Sequence, residues 1–149
     1  KGNDNVGPDG INTPNNAPGL YLHKTDPKLI VVMNTFQNLK EEIEVKDVPI
    51  HKWINIVIRL ENRNLDVYIN GSIVSRKELS SVPKQNYGNV YVNQNGGFSG
   101  LISALRYYNR AITSTEIQDI VASGPNMSSD QTLSIFPPYL STRWFIGNN

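Results

Sequence analysis

The sequence predicts an all-β protein: an antiparallel β-sandwich with one short C-terminal helix. Three observations carry that expectation. Short runs of alternating apolar residues recur from Gly19 onward, each bounded by Gly, Pro, Asn or Asp. Two of these runs meet at Asn70-Gly71, a strong two-residue hairpin signal, because both central residues of a type I′ turn need positive φ. One helical stripe occurs, and it follows all the strand patterns.

Residues 1–18 are rich in Gly, Asn, Asp and Pro and read as a loop. Strands are expected at 19–23 and 28–34, separated by the turn cluster Thr25-Asp26-Pro27. In EEIEV (41–45), Ile43 and Val45 share one face and Glu42 and Glu44 the other. From Trp53 to Leu60 the period of two puts Ile54, Ile56, Ile58 and Leu60 on a core face, with Trp53 in the core or at the sandwich rim. After a polar turn at 61–64, Leu65, Val67 and Ile69 alternate with Asp66, Tyr68 and Asn70, and the return strand covers 72–76. Further strands are expected at 88–93 and 98–108, joined by a turn at 94–97. Thr113-Ser114-Thr115-Glu116 has the form of a capping box, in which Thr113 and Glu116 satisfy each other's backbone amides. Ile117, Ile120 and Val121 then form one helical stripe, and Gly124-Pro125 stops it.

Composition narrows the function classes. The 149 residues suffice for one domain with a real core but are few for two. With 38% hydrophobic and 18% charged residues, the chain is neither a disordered tail nor a membrane protein. No stretch approaches the roughly 20 apolar residues of a membrane span. Lys+Arg 14 against Asp+Glu 13 leaves a net charge of +1, too weak a field to collect nucleic acid. The absence of cysteine excludes disulfides, thiolate metal sites and a cysteine nucleophile.

The run W-x-N-I-V-I-R-x-E-N-R-x-L-D-V-Y-I-N-G from Trp53 to Gly71 resembles the central hairpin of concanavalin A-like lectin/glucanase domains of the laminin G-like type. The run from Gly97 to Ile117, with its Y-N-R-A-I and T-S-T-E-I, is similar to the closing strand and short helix of the same family. The resemblance implies a jelly-roll sandwich over 19–125, preceded by the 1–18 loop and followed by a C-terminal extension over 126–149. Its wording is most similar to versions from large DNA viruses. It therefore implies a module of a viral, capsid-associated structural protein, placed in the virion or otherwise extracellular or at a cell surface. Relatives open with aromatic strands where this chain has a loop, so the 149 residues are expected to be part of a longer polypeptide with further strands before Lys1. Ser103-Ala104 stands where relatives often carry an acidic pair, which weakens any acidic or metal-linked role there.

The chemistry favours binding over catalysis. Glu42 and Glu44 lie about 6.6–6.8 Å apart by strand rise, a usable hydrolase separation. The Glu-x-Asp-x-x-Glu run of the glucanase branch is absent, however, and Glu41, Glu42 and Glu44 read as a solvated face. Glycoside hydrolase or lyase activity is the alternative reading. His23 and His51 share no metal-ligand spacing, and no nucleophile elbow or phosphate loop occurs. No cofactor is expected, although calcium is common among laminin G-like relatives and would suit the Asn-rich loops. Ligand contacts are expected from Asp66 with Tyr68 and from Tyr91 with Asn93, since rings stack on sugars while amides and carboxylates fix hydroxyls. The expected partners are a glycan or other structural proteins. Phe136, Tyr139, Leu140, Trp144 and Phe145 give the extension an apolar load that predicts docking on the sandwich or on a neighbouring chain.

Overall fold

A computed structural model of the chain describes residues 7–12, 15–94 and 97–126. Among the described residues, six strands form two three-stranded antiparallel sheets. The first sheet holds β1 (Gly19–Leu22), β2 (Leu29–Met33) and β3 (Glu41–Val45), and the second holds β4 (Ile56–Glu61), β5 (Asn64–Ile69) and β6 (Ser72–Glu78). Each sheet is a meander of strands consecutive in the chain, with the middle strand of three at its centre. One helix follows, α1 (Ser114–Ser123). No helix among the described residues is long and apolar enough to cross a membrane.

The sheets pack face to face as a β-sandwich. Leu29, Val31 and Met33 of β2 and Ile43 and Val45 of β3 meet Leu65 and Val67 of β5 in one apolar cluster. Ile54, Ile56, Ile58, Leu60 and Ile69 pack against it, the face that their alternation predicts. Turn chemistry fixes the register of the second sheet. Asn70 and Gly71 take φ 49° and 80°, which sets the β5–β6 hairpin, and Asn62 at φ 55° turns the β4–β5 hairpin. A bulge between Val67 and Tyr68 leaves Val74 of β6 without an opposite residue.

Both outer faces are covered by non-sheet segments. Ile11, from the N-terminal loop, packs with Tyr21 over Ile30 and Val32, so β2 is buried on both sides. Across the molecule, Ile112, Ile117 and Ile120 pack over Tyr68 and Val57. The capping box is present as expected: Thr113 Oγ1 accepts from the Glu116 amide at 3.3 Å, and Glu116 Oε2 accepts from the Thr113 amide at 2.8 Å. Gly124 caps the other end at φ 66°. Gln118 donates to the Gly71 carbonyl at 2.9 Å and pins the helix to the β5–β6 turn.

Several expectations require correction. The runs 88–93 and 98–108 form no strand. Among the described residues, Phe98 to Tyr108 makes no backbone–backbone hydrogen bond, and Ala104 at φ 53° breaks its extended course. An apolar alternation without a partner backbone does not make a ladder. The strand opened by Trp53 begins only at Ile56, and Trp53 is 39% exposed. Glu41 is not solvated but buried: it shares the parity of Ile43 and so points inward. The aromatic residues from Phe136 to Phe145 lie outside the described residues.

Candidate functional site

The outer face of the second sheet places two of the four residues expected to bind ligand. Asp66 is fully buried there, and Arg76 grips it with Nε to Oδ1 at 2.6 Å and Nη2 to Oδ2 at 2.9 Å. Arg59 adds Nη1 to Oδ2 at 3.2 Å, donates through Nε to the Ile112 carbonyl at 2.9 Å, and reaches Glu61. The two-pronged hydrogen bonding of the Arg76 guanidinium, helped by Arg59, holds the Asp66 carboxyl below its ordinary range against the opposing effect of burial. Tyr68, the neighbour of Asp66 on this face, is 9% exposed beneath Ile112 and Ile117. This cluster ties the approach to α1 onto the sheet, and both Asp66 oxygens are already engaged. Tyr91 and Asn93, by contrast, are exposed on the loop after β6. The structure does not bring the four residues together.

A different group of residues does converge. Asn15, Asn16, Asn34, Lys84, Gln85 and Asn86 line a cleft of about 50 Å³ between the N-terminal loop, the end of β2 and the start of the 84–94 loop. That volume admits a hydroxyl-sized group, since a water molecule occupies about 30 Å³. Backbone bonds build the cleft from both sides: the Asn34 amide donates to the Asn16 carbonyl at 2.8 Å, and the Lys84 amide donates to the Asn34 carbonyl at 2.8 Å. Asn16 is fixed in turn, accepting from the Tyr21 hydroxyl at 2.5 Å and donating to the Asn12 carbonyl at 2.6 Å. Asn34 is 2% exposed, and its Oδ1 has no hydrogen-bond partner among the described residues. A buried acceptor left unpaired costs about 1–3 kcal/mol, so this position calls for a donor.

The loop that carries Tyr91 and Asn93 is moored to the same edge. Asn12, which accepts from Asn16, donates to Gln94 Oε1 at 3.0 Å, and the Oδ1 of Asn12 is a second buried acceptor without a partner. Tyr87 directly follows the lining residue Asn86 and is 91% exposed, its hydroxyl on Gln85. Tyr87 and the stretch from Tyr91 to Asn93 thus follow the lining residues in the chain, and Asn12 moors the far end of that loop through Gln94. Sequence reasoning missed Asn16 and Asn34 because an asparagine in a loop and one at a strand end look like ordinary turn residues. Their burial depends on Ile11 holding the N-terminal loop down.

The carboxylates take structural parts. Glu42 pairs with Lys40 at 2.9 Å and Glu44 with Lys28 at 3.1 Å. Burial pushes the Glu41 carboxyl up, but the Ser80 hydroxyl and amide, the Thr35 hydroxyl and Lys77 together hold it below its usual range. Asp26, Glu44 and Asp47 share an open depression with Lys28 and Lys46. Two ammonium groups among three carboxylates do not fit a calcium ion. Among the described residues no group of three or more His, Asp or Glu gathers that could hold a metal.

The comparison with known protein families agrees with the sandwich. No curated protein matches the chain significantly. A crystal structure of residues 221–444 of an S-layer domain-containing protein from Clostridium thermocellum ATCC 27405 is similar, with a TM-score of 0.41 and 20% identity. The match covers 70% of this chain and 55% of that one, so the chain spans about half the length of that structure. A laminin G-like family model matches residues 8–118, more than half of the sequence. The chain belongs to the concanavalin A-like lectin/glucanases superfamily.

Proposed function

We propose that the chain is a non-catalytic binding module whose ligand is a glycan, held at the asparagine cleft and the 84–94 rim. The observation that carries this reading is the unpartnered Oδ1 of the buried Asn34, an acceptor suited to a sugar hydroxyl. A sugar placing one hydroxyl or hydroxymethyl group in the cleft lays its ring on the rim, where Tyr87 and Tyr91 offer stacking surfaces and Asn86 and Asn93 offer amides. The pairing of Glu41, Glu42 and Glu44 with other groups supports the absence of catalysis. The proposed setting is a larger structural protein, extracellular or at a surface. Its placement in a virion rests on resemblance alone, carried by wording that includes Gly124-Pro125 after the helix and the terminal run from Pro137 to Phe145.

A glycan array followed by calorimetry on the best ligand tests the reading. Asn34→Ala should weaken binding about tenfold, equivalent to about 1.4 kcal/mol, and Tyr91→Ala should weaken it as well. Flat binding across the array, or binding indifferent to Asn34, overturns it. A protein ligand is the second reading, favoured by the exposed Val90 and Val92 that flank Tyr91. Release of reducing ends from a polysaccharide would instead select the hydrolase alternative.

A further inference from the structure

Past Asn34 the wall of the asparagine cleft continues onto a short paired stretch. The Phe36 amide donates to the Val82 carbonyl at 3.1 Å, Thr35 bridges Pro83, and the Lys84 amide donates to the Asn34 carbonyl at 2.8 Å. In this antiparallel register Asn34 stands opposite Lys84, and Phe36 stands opposite Val82. Opposite side chains share a face, with Cβ atoms about 4.5–5.5 Å apart, and residues two apart along a strand share it as well. Thr35, between Asn34 and Phe36, is buried against Glu41 on the other face. Asn34, Phe36 and Lys84 therefore stand on one face.

Lys84 is the one charged residue that lines the cleft. Its ammonium lies 5.7 Å from the centroid of the Phe36 ring, a cation–π distance, and that ring is 69% exposed. Lys28, Lys40 and Lys77 each hold a carboxylate, but among the described residues Lys84 holds none. The surrounding sequence supplies none either, since no Asp or Glu occurs from 79 to 115. An ammonium without a counter-ion thus shares a face with Asn34 Oδ1, an acceptor without a donor.

We infer that the ligand of the cleft is an acidic sugar, whose anionic group rests on Lys84 while one of its hydroxyls donates to Asn34 Oδ1. The inference rests on the glycan reading of the cleft and adds the charge of the ligand. A neutral sugar would meet the Asn34 acceptor equally well but would leave the ammonium to water. An anion gains a charge-assisted hydrogen bond there, and the neutral side chains of Asn15, Asn16, Gln85 and Asn86 add no repulsion. A uronate carboxylate and a sulfate ester share this chemistry.

Matched pairs on one array test it: uronate oligosaccharides beside their methyl esters, and sulfated oligosaccharides beside their desulfated forms. The acidic member should bind about tenfold more tightly, and the pair that separates shows which anion is read. Lys84→Gln should remove that preference and leave the neutral member's affinity within about twofold, while Lys84→Arg should keep it. Raising the ionic strength from about 0.01 M to about 1 M shortens the Debye length from about 30 Å to about 3 Å. The acidic member should then lose affinity severalfold and its neutral counterpart should not. Asn34-dependent binding that favours neutral sugars overturns the inference and leaves the glycan reading standing, whereas a flat array removes both. An acidic preference that survives Lys84→Gln also overturns it. Should Lys84→Gln fail to fold, the side-chain proton signals of Lys84 in the wild type decide. They should move on titration with the acidic member and not with its neutral counterpart, and signals that stay still overturn the inference.

Discussion

Asp66 shows how a single side chain changes meaning with its surroundings. On an uncovered strand face it would be a ligand contact; beneath Ile112 and between two arginines it is a fastening. Breaking a fully enclosed ion pair on one side costs about 3–5 kcal/mol. Arg76 is 61% exposed, so water takes over its charge when the carboxylate is removed. Asp66→Ala should therefore cost about 1–3 kcal/mol, read as a lower urea midpoint with an unchanged slope. The pH dependence follows from the depressed carboxyl. Its contribution is complete above the unfolded value of 3.8 and drains away as the pH falls through the lower folded value. The stability gap between the wild type and Asp66→Asn should narrow under acid on that same descent, and a gap that stays constant would contradict the pairing.

At the scale of elements, α1 is the part most directly tied to sequence. Its capping box closes as the Thr113-to-Glu116 spacing predicts, and the Arg110 guanidinium together with the Thr113 amide lowers the Glu116 carboxyl to about 2. Thr113→Ala should cost about 1 kcal/mol. Because the folded value of Glu116 is depressed, its support for the helix is intact above 4.5 and disappears as the pH falls toward 2. Chemical shifts of 114–118 followed through an acid titration should show fraying in that window. The core offers a graded comparison. Leu65 is fully buried and Ile56 only partly, so Leu65→Ala should fall in the upper part of the 2–5 kcal/mol range and Ile56→Ala at about its lower end.

The same elements show what a sequence can disclose. The β4–β5–β6 meander was legible because Asn70-Gly71 and the alternation of Ile54, Ile56, Ile58 and Leu60 are local instructions. The stretches 88–93 and 98–108 carry a similar alternation and still form no strand, because a strand requires a second backbone that the stretch itself does not encode. Periodicity placed Asp66 and Tyr68 on the outer face but could not reveal that a helix some fifty residues later would roof them. The asparagine cleft was hidden for a related reason. It is assembled from three distant stretches, joined by the bonds of Asn34 with Asn16 and Lys84, while Ile11, one apolar residue in a polar loop, packs on Ile30 and Val32.

Across the whole molecule, each sheet is assembled from three consecutive strands, and the two sheets share one interior. The order in which the protein acquires its structure follows from this. Contacts within each meander join neighbouring stretches of chain, so their loop-closure cost is small, and the costly long-range step is the meeting of the two finished halves. Native-state hydrogen exchange should then resolve two cooperative units, one reported by the amides of Val31 and Val32 and the other by those of Leu65 and Val67, each opening before the chain unfolds globally. A single protection class across all four amides would mean that neither meander holds together once its neighbour has gone. If the units do separate, the transition state for refolding lies at the docking of Ile43 and Val45 against Leu65 and Val67, and substitutions there should slow folding more than substitutions in either hairpin turn.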